Sequence, residues 1–502
     1  MGIPSYYKKT IENYPEIIIP DKYFNQKIDY LFLDLNCAIH PCCSGKTDVN
    51  EMYESIFSKI LECISLTKVQ ELVYIAIDGP APRTKMEQQR QRRLKSSQED
   101  KIWDTNQITP GTKFMDNLSI YLNNQCKKLS VKYIISDSNE RGEGEHKIMH
   151  YLKNVKKNTI SVVYGLDADL IMLSMLQKTK IYLLRETTSY NIEKIDSPYI
   201  FCDIDFLKKS LINTIKKDMY HIPDLVILYD YIFMCFLIGN DFIINSPSIN
   251  IRYNGLEYLL LTYNNLQTQY LGRFYIIDEN KNFSIENFVI YLEKLSYSET
   301  NKIKEIQTIR RNQQKKYQRI YKEILTNYKP TCIDDINHEN ITIEKEKLEE
   351  LKNHSPIIFR DKEEYIFNKN MHKNYYMYNF YGSLNYNPSY KMILKNDKNR
   401  LCKEYFKSII WTFQYYFHEC IHWRWYYQYQ FAPLITDFHK YCNNMKTIDI
   451  IEKNDNSYTP KEQLEIVLPG QDSTYMYPIK TPLYSLMKRY YWECHPIMPH
   501  RL

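Results

Sequence analysis

The chain has 502 residues, 44% hydrophobic and 25% charged, with 47 Tyr and 20 Phe against only 12 Gly. That balance excludes a disordered or fibrous chain and is long enough for two or three domains, or for one large elaborated core. The net charge of +6 permits a nucleic-acid partner without arguing for one, so the clustering of charge has to decide.

In chain order, the first fifteen residues, "MGIPSYYKKTIENYP", have no apolar core and so are not a signal peptide. Tyr6 breaks the myristoylation pattern, which needs Ser or Thr there. Five short apolar runs follow: "YLFLDL" (30–35), "LVYIAID" (72–78), "VKYIIS" (131–136), "ISVVYGLD" (160–167) and "KIYLLRE" (180–186). They are nearly continuous rather than alternating, which predicts strands of a parallel sheet covered on both faces. Helical stretches between them predict an α/β fold, a mostly parallel central sheet flanked by helices. Ligands of such sheets bind beyond the carboxyl ends of the strands.

The pattern changes further along. Residues 1–262 are expected to form the core, 263–370 a charged helical connecting segment, and 371–502 a mainly helical, aromatic-rich region packing on the core. Within the connector, "SETNKIKEIQTIRRNQQKKYQRIYKEIL" (298–325) and "EKEKLEELKNH" (344–354) read as solvated spacer helices. The densest aromatic run is "IIWTFQYYFHECIHWRWYYQYQFAP" (409–433). No run approaches the ~18 apolar residues of a membrane span. The 12 Cys lack repeated CxxC spacing, and "HPCC" (40–43) lacks a second ligand pair, so they read as reduced thiols of a soluble intracellular protein.

Acidic residues at strand ends carry the strongest chemical signal. Asp34 and Asp78 close two of the runs, Asp167 and Asp169 follow a third in "GLDADL", and Asp241 stands in "GNDF". The stretch "RGEGEHKI" (141–148) adds Glu143 and Glu145, one residue apart between glycines. Any one of these could be a helix cap, but seven in apolar or glycine-flanked settings cannot stay charged unless paired or metal-bound. For the pair of glutamates the countercharge could be a cation, Lys147 or solvent, and a metal answers best. All-oxygen ligation suits Mg²⁺, with Mn²⁺ as a substitute. Carboxylates for two ions are the apparatus of in-line phosphodiester cleavage.

A basic segment supplies the other half. "GPAPRTKMEQQRQRRLK" (79–95) holds six Lys or Arg and a single Glu. If helical from about Thr84, it puts Lys85, Gln89, Arg92 and Arg93 on one face. Such a face, just beyond an acidic strand end, suits a phosphate group. His40, six residues after Asp34, could reach the cleft wall, and Trp423 and Trp425 could stack on bases, although core packing is the commoner fate of each.

These segments closely resemble the Xrn family of 5′→3′ exoribonucleases. "MGIP", "DLNCAIH", "AIDGPAPRTKMEQQRQRR", "ITPGTKFM", "GEGEHKIM", "YGLDADLIML" and "GNDF" occur in the family's order, and "WRWYYQYQFAP" looks like the aromatic block of its second conserved region. The resemblance implies a nuclease core related to flap endonucleases. It implies that Asp34, Asp78, Glu143, Glu145, Asp167, Asp169 and Asp241 are catalytic acids holding two Mg²⁺ ions. Lys85, Gln89, Arg92 and Arg93 would be the 5′-monophosphate pocket, and His40 with Trp423 or Trp425 would sandwich the terminal bases. The implied substrate is single-stranded RNA with a 5′-monophosphate, degraded processively to mononucleotides, with decapping or other RNA-processing proteins as candidate partners and no membrane.

The chain departs from the family in three places. It stops at Leu502 without the further domains of the large cytoplasmic enzymes, lacks the CCHC knuckle of nuclear members, and reads "IINSPSINIR" after "GNDF". The expected location is therefore the cytoplasm, and the compact, AT-biased form looks like one encoded by a large DNA virus or a divergent unicellular eukaryote. Two other readings stay open: a 5′ exonuclease or flap nuclease acting on DNA, and an inactive RNA-binding scaffold.

Overall fold

In the computed structural model of the protein, residues 3, 5–96, 102–187, 195–217, 220–327, 371–381, 390–429, 431–445 and 451–468 are described. The charged run 344–354 and most of the opening "MGIP" lie outside them.

All five apolar runs form strands, and two more join them. The seven are β1 (Ile18–Pro20), β2 (Tyr30–Asp34), β3 (Leu72–Ala76), β4 (Lys132–Ser136), β5 (Ile160–Tyr164), β6 (Lys180–Glu186) and β7 (Tyr199–Asp203). They build one sheet in the order β1-β7-β6-β5-β2-β3-β4. Strands β2 to β6 pair in parallel, whereas β7 pairs antiparallel with both β6 and β1. The sheet is thus mostly parallel with an antiparallel edge. The two added strands escape a reading by apolar runs because β1 is only three residues long and β7 runs straight into the Ile204–Ile215 helix.

Alternate side chains feed two cores. Leu31, Leu33, Val73, Ile75 and Val162 point to one face, under the Val49–Thr67 and Lys113–Cys126 helices. Phe32, Tyr74 and Val163 point to the other, under the Gly144–Leu152 and Asp169–Met175 helices. Burial on both faces holds for β3 but not for β4, where exposed and half-buried residues alternate and Ile134 is 38% exposed. β4 is the sheet's edge, so helices do not cover it fully, and its apolar run overstated its burial.

The second core extends far beyond the sheet. The Asp224–Leu237 helix is buried from Val226 to Leu237 and carries Asp230, which accepts hydrogen bonds from Ile276 N, Ile277 N and the Tyr263 hydroxyl. The Ile285–Asn327 helix buries Phe288, Tyr291, Leu292, Leu295, Glu299, Ile303 and Ile306. The expectation of a solvated helix from 298 therefore needs correction over its first turns. Glu299 accepts from Ile435 N, Thr436 N and Thr436 Oγ1, closing the start of the Ile435–Asn443 helix. The aromatic Tyr390–Phe417 helix packs on the same core, its Tyr405 hydroxyl donating to Ile244 O.

Candidate active site

Strand order reverses between β2 and β5: from β2 the chain runs outward through β3 to β4, then crosses to β5 on the other side. Side chains beyond the carboxyl ends of these two strands open into a crevice, where α/β sheets bind ligands. Asp34 is the last residue of β2, Asp78 follows β3 by two residues and Asp167 follows β5 by three. With Glu143 and Glu145 they line one cavity of about 240 Å³.

The glycines of "RGEGEHKI" explain how the glutamates arrive there. Gly142 has φ +107°, a conformation other residues rarely take, and its N–H donates to Pro80 O. Gly144 lies so close to the acids that a Cβ there would stand 2.6 Å from Asp34 Oδ1. Its N–H instead donates to Asp78 Oδ1 at 2.7 Å, while Asn36 Nδ2 donates to Asp78 Oδ2 at 2.7 Å. Glu143 precedes the Gly144–Leu152 helix and Glu145 is in its first turn, where the helix dipole favours negative charge. Asp169 opens the Asp169–Met175 helix in the same way without capping it.

The basic segment forms a helix, Arg83–Ser96, and Lys85, Gln89, Arg92 and Arg93 all line the cavity facing the acids. Lys85 Nζ lies 2.5 Å from Glu143 Oε1 and 2.8 Å from Asp241 Oδ2. Gln88 Nε2 takes Asp241 Oδ1 at 2.9 Å, and Arg93 Nη2 donates to Ile108 O. The countercharge touching Glu143 is therefore Lys85. Lys147 turns away, donating to the carbonyls of Ile77 and Asp137.

Burial and mutual repulsion dominate the electrostatics. Burial, with Asp78 and Asp167 beside it, pushes the Asp34 carboxyl well above the usual range. Glu145 is pushed up by burial and by Glu143, and Asp169 rises to about 7 through burial and the charge of Asp241. Burial opposes the charge of Lys85, but Asp241 and Glu143 outweigh it and hold the ammonium well above its ordinary value. Glu145 Oε2 and both Asp169 oxygens are buried with no hydrogen-bond partner among the described residues. Buried carboxylate oxygens without donors are what a hard cation requires.

Residues 1–102 and 95–187 match the family described as XRN 5'-3' exonuclease N-terminus, and residues 224–489 match the Xrn1 helical domain. The chain belongs to the Xrn family. It is 28% identical over 552 residues to 5'-3' exoribonuclease 1 of Homo sapiens, covering 94% of this chain and 30% of that protein. It is 25% identical over 634 residues to 5'-3' exoribonuclease 2 of Arabidopsis thaliana, covering 94% of this chain and 61% of the relative. The chain thus spans less than two thirds of the length of these relatives. Among solved structures, the catalytic core of Rad2 in complex with DNA substrate is similar at 14% identity and a TM-score of 0.34, over 59% of this chain and 81% of that one.

The aromatic residues expected of an Xrn family site are divided by the structure. His40 is exposed and lines the cavity with the acids. Trp423 lines a neighbouring cavity of about 340 Å³, with the Arg141 guanidinium 5.0 Å from its ring. Trp425 stacks along Trp411, centroids 6.4 Å apart. Neither tryptophan lines the His40 cavity. Their carbonyls instead secure the start of the basic helix, accepting from Arg83 N and Thr84 Oγ1. Asp169 and Asp241 are not among the residues that line this cavity, and Asp241 meets it through Lys85, which does.

Several neighbours of the cavity acids were not singled out by the sequence reading. Tyr415 donates its hydroxyl to Glu143 Oε2 at 3.0 Å, and His146 stacks on Tyr415 with centroids 3.8 Å apart. His146 Nδ1 is 3.8 Å from both Glu143 Oε2 and Glu145 Oε1, and burial holds the imidazole neutral by lowering its pKa well below the ordinary value. His146 offered a signal, lying beside the glutamates in "GEGEH". Asn36, Gln88 and Tyr415 did not, because their contacts cross between separate elements.

Proposed function

We propose that this chain is a divalent-metal-dependent 5′→3′ exoribonuclease that removes mononucleotides processively from single-stranded RNA bearing a 5′-monophosphate. The observation that carries the reading is the cavity itself, with Asp34, Asp78, Glu143, Glu145 and Asp167 facing Lys85, Gln89, Arg92 and Arg93 across about 240 Å³. The relatives' printed names, 5'-3' exoribonuclease 1 and 2, support the same reaction.

Asp34, Asp78, Glu143, Glu145, Asp167 and Asp169 would hold two Mg²⁺ ions, and the buried Glu145 Oε2 and Asp169 oxygens, which accept no hydrogen bond among the described residues, fit that group. Asp241, whose oxygens are taken by Lys85 and Gln88, joins them by tethering Lys85. Bound there, the ions would supply an activated water and would neutralise the leaving oxygen of an in-line displacement. Arg92 and Arg93 grip the terminal phosphate through paired N–H donors, and Lys85 adds a fixed positive charge beside Glu143. The anchor lies across one small cavity from the acids, so it measures single nucleotides and leaves no room for a cap or triphosphate. His40 stacks on a terminal base, a contact that ignores sequence. Ten described cysteines are free thiols, which supports a reducing compartment such as the cytoplasm. No helix among the described residues is long and apolar enough to cross a membrane.

The test follows a 3′-labelled unstructured RNA in Mg²⁺, with 5′-monophosphate or 5′-triphosphate ends, alongside a DNA of the same sequence. Decay of the monophosphate RNA alone, abolished by Asp167→Asn, is expected. Equal decay of both RNAs removes the phosphate pocket. Preference for DNA changes the substrate, and binding without decay makes the fold a scaffold.

A further inference from the structure

The Pro460–Val467 helix belongs to the far end of the described chain, yet it lies directly on the basic helix beside the cavity. Its seat is tightly specified. A Cβ at Gly111 would stand 2.9 Å from the Pro460 backbone, the Thr459 and Glu462 side chains form a reciprocal cap, and Arg424 pairs with Glu462 at 3.2 Å. From this helix Gln463 projects inward and is fully buried.

Two contacts fix which way its amide faces. The Ala81 N–H, in the turn between Asp78 and the basic helix, donates to Gln463 Oε1 at 2.8 Å. A backbone N–H can only donate, so the oxygen of Gln463 must face it and the amide nitrogen must face the other way. That nitrogen donates to Gln89 Oε1 at 3.3 Å. Gln89 is thereby turned in its own right: its oxygen is committed to Gln463, and its Nε2 is the polar atom left for the cavity it lines.

We infer that Gln463 is a positioning residue that sets Gln89 as a hydrogen-bond donor toward the 5′-phosphate. The inference rests on the phosphate-pocket reading given above. The relay runs from the Ala81 N–H through the two amides to the phosphate, each N–H donating in the same sense. Without it the Gln89 amide is free to turn its oxygen into the cavity, where it repels an anion. The pocket's selectivity therefore depends on a residue 374 positions away from the one it orients.

The test compares wild type with Gln463→Met, which removes both contacts, and with Gln463→Glu, which still accepts from Ala81 but cannot donate. In the second variant the Gln89 amide is drawn round so that its oxygen faces the phosphate. Losing one hydrogen bond to a charged group predicts a rise in KM for 5′-monophosphate RNA of about tenfold in Gln463→Met, and more in Gln463→Glu. The expected kcat at saturating RNA moves less than about twofold in either, since the interaction is with the bound end in ground and transition states alike. On a Gln89→Ala background Gln463→Met is expected to add nothing, and Gln463→Glu only the effect of its charge. Equal KM values in wild type and Gln463→Met overturn the relay, as does a fall in kcat without a change in KM. A wild type that degrades 5′-monophosphate and 5′-hydroxyl RNA with equal KM removes the pocket instead, and that comparison tells its failure apart from failure of the relay.

Discussion

The Tyr415 hydroxyl donates a 3.0 Å hydrogen bond to Glu143 Oε2, linking the aromatic helix to an acid of the cavity 272 residues earlier. The aromatic region is therefore part of the site's electrostatics as well as its packing. Glu143 is pushed up by burial, against the pull of Lys85, and a donated hydrogen bond favours its charged form. Tyr415→Phe keeps the ring and removes a charge-assisted bond of about 1.5–3 kcal/mol. The expected outcome is a fall in single-turnover RNA cleavage of about tenfold near neutral pH, partly recovered at higher pH. A pH–rate profile checks it, and a profile that does not move shows that Glu143 ionisation is indifferent to Tyr415.

The raised acids also set how metal-free stability depends on pH. Asp169 goes from an ordinary 3.8 to about 7 in the folded protein, and Asp34 and Glu145 rise as well. A carboxyl whose folded pKa is raised binds more protons in the folded state, so stability falls as pH climbs from the unfolded value through the folded one. These acids lower the thermal midpoint measured with chelator between about pH 4 and about pH 7. His146, held neutral by burial, acts in the opposite sense below its ordinary value, so the comparison is with Asp169→Asn. Mg²⁺ should flatten that slope, and Asp169→Asn should remove part of it. A pH slope that is the same in Asp169→Asn and wild type contradicts the assignment.

Gly144→Ala places a methyl group 2.6 Å from Asp34 Oδ1, with Asp78 Oδ1 also in contact. The two carboxylates must separate, which disturbs any ion they share. Cleavage is expected to fall by at least about a hundredfold, since misplacement by about 1 Å at a reacting site has that effect. Isothermal titration with Mn²⁺ should show weaker binding in parallel. Near-normal titration and activity would mean that the glycine serves only the turn.

Glu299 gives a contrasting prediction. It is buried, away from the cavity, and accepts three hydrogen bonds from Ile435 and Thr436. Glu299→Ala strands those donors and is expected to cost about 3 kcal/mol in a urea titration. Below the transition, kcat/KM on RNA should stay within about twofold of wild type. A large kinetic loss in fully folded protein would tie the Ile435–Asn443 helix to the reaction.

Much of this was readable along the chain. Asp34, Asp78 and Asp167 end apolar runs, and a parallel sheet puts all such ends on one edge. The Arg83–Ser96 helix and its Lys85, Gln89, Arg92 and Arg93 face follow from a spacing of three and four residues. Both signals are local, because a strand's end and a helix's face are fixed by neighbours in sequence. The same logic misled at β4, where an apolar run lies at an edge, and at Glu299, where a charged stretch hides a buried residue.

Other features only the tertiary structure decided. Lys85 rather than Lys147 meets Glu143, although Lys147 is the nearer in sequence. Trp423 and Trp425 hold the basic helix by their carbonyls while His40 alone of the three enters the cavity. Tyr415 reaches Glu143, and Gln463 turns Gln89, across hundreds of residues. Such contacts depend on how layers stack and which donor arrives first at a shared acceptor, and no periodicity within a single element records that. The sequence by itself determined which chemistry the strand ends and the basic face could offer. The packing of the C-terminal aromatic region over them decided which side chains hold that chemistry in place.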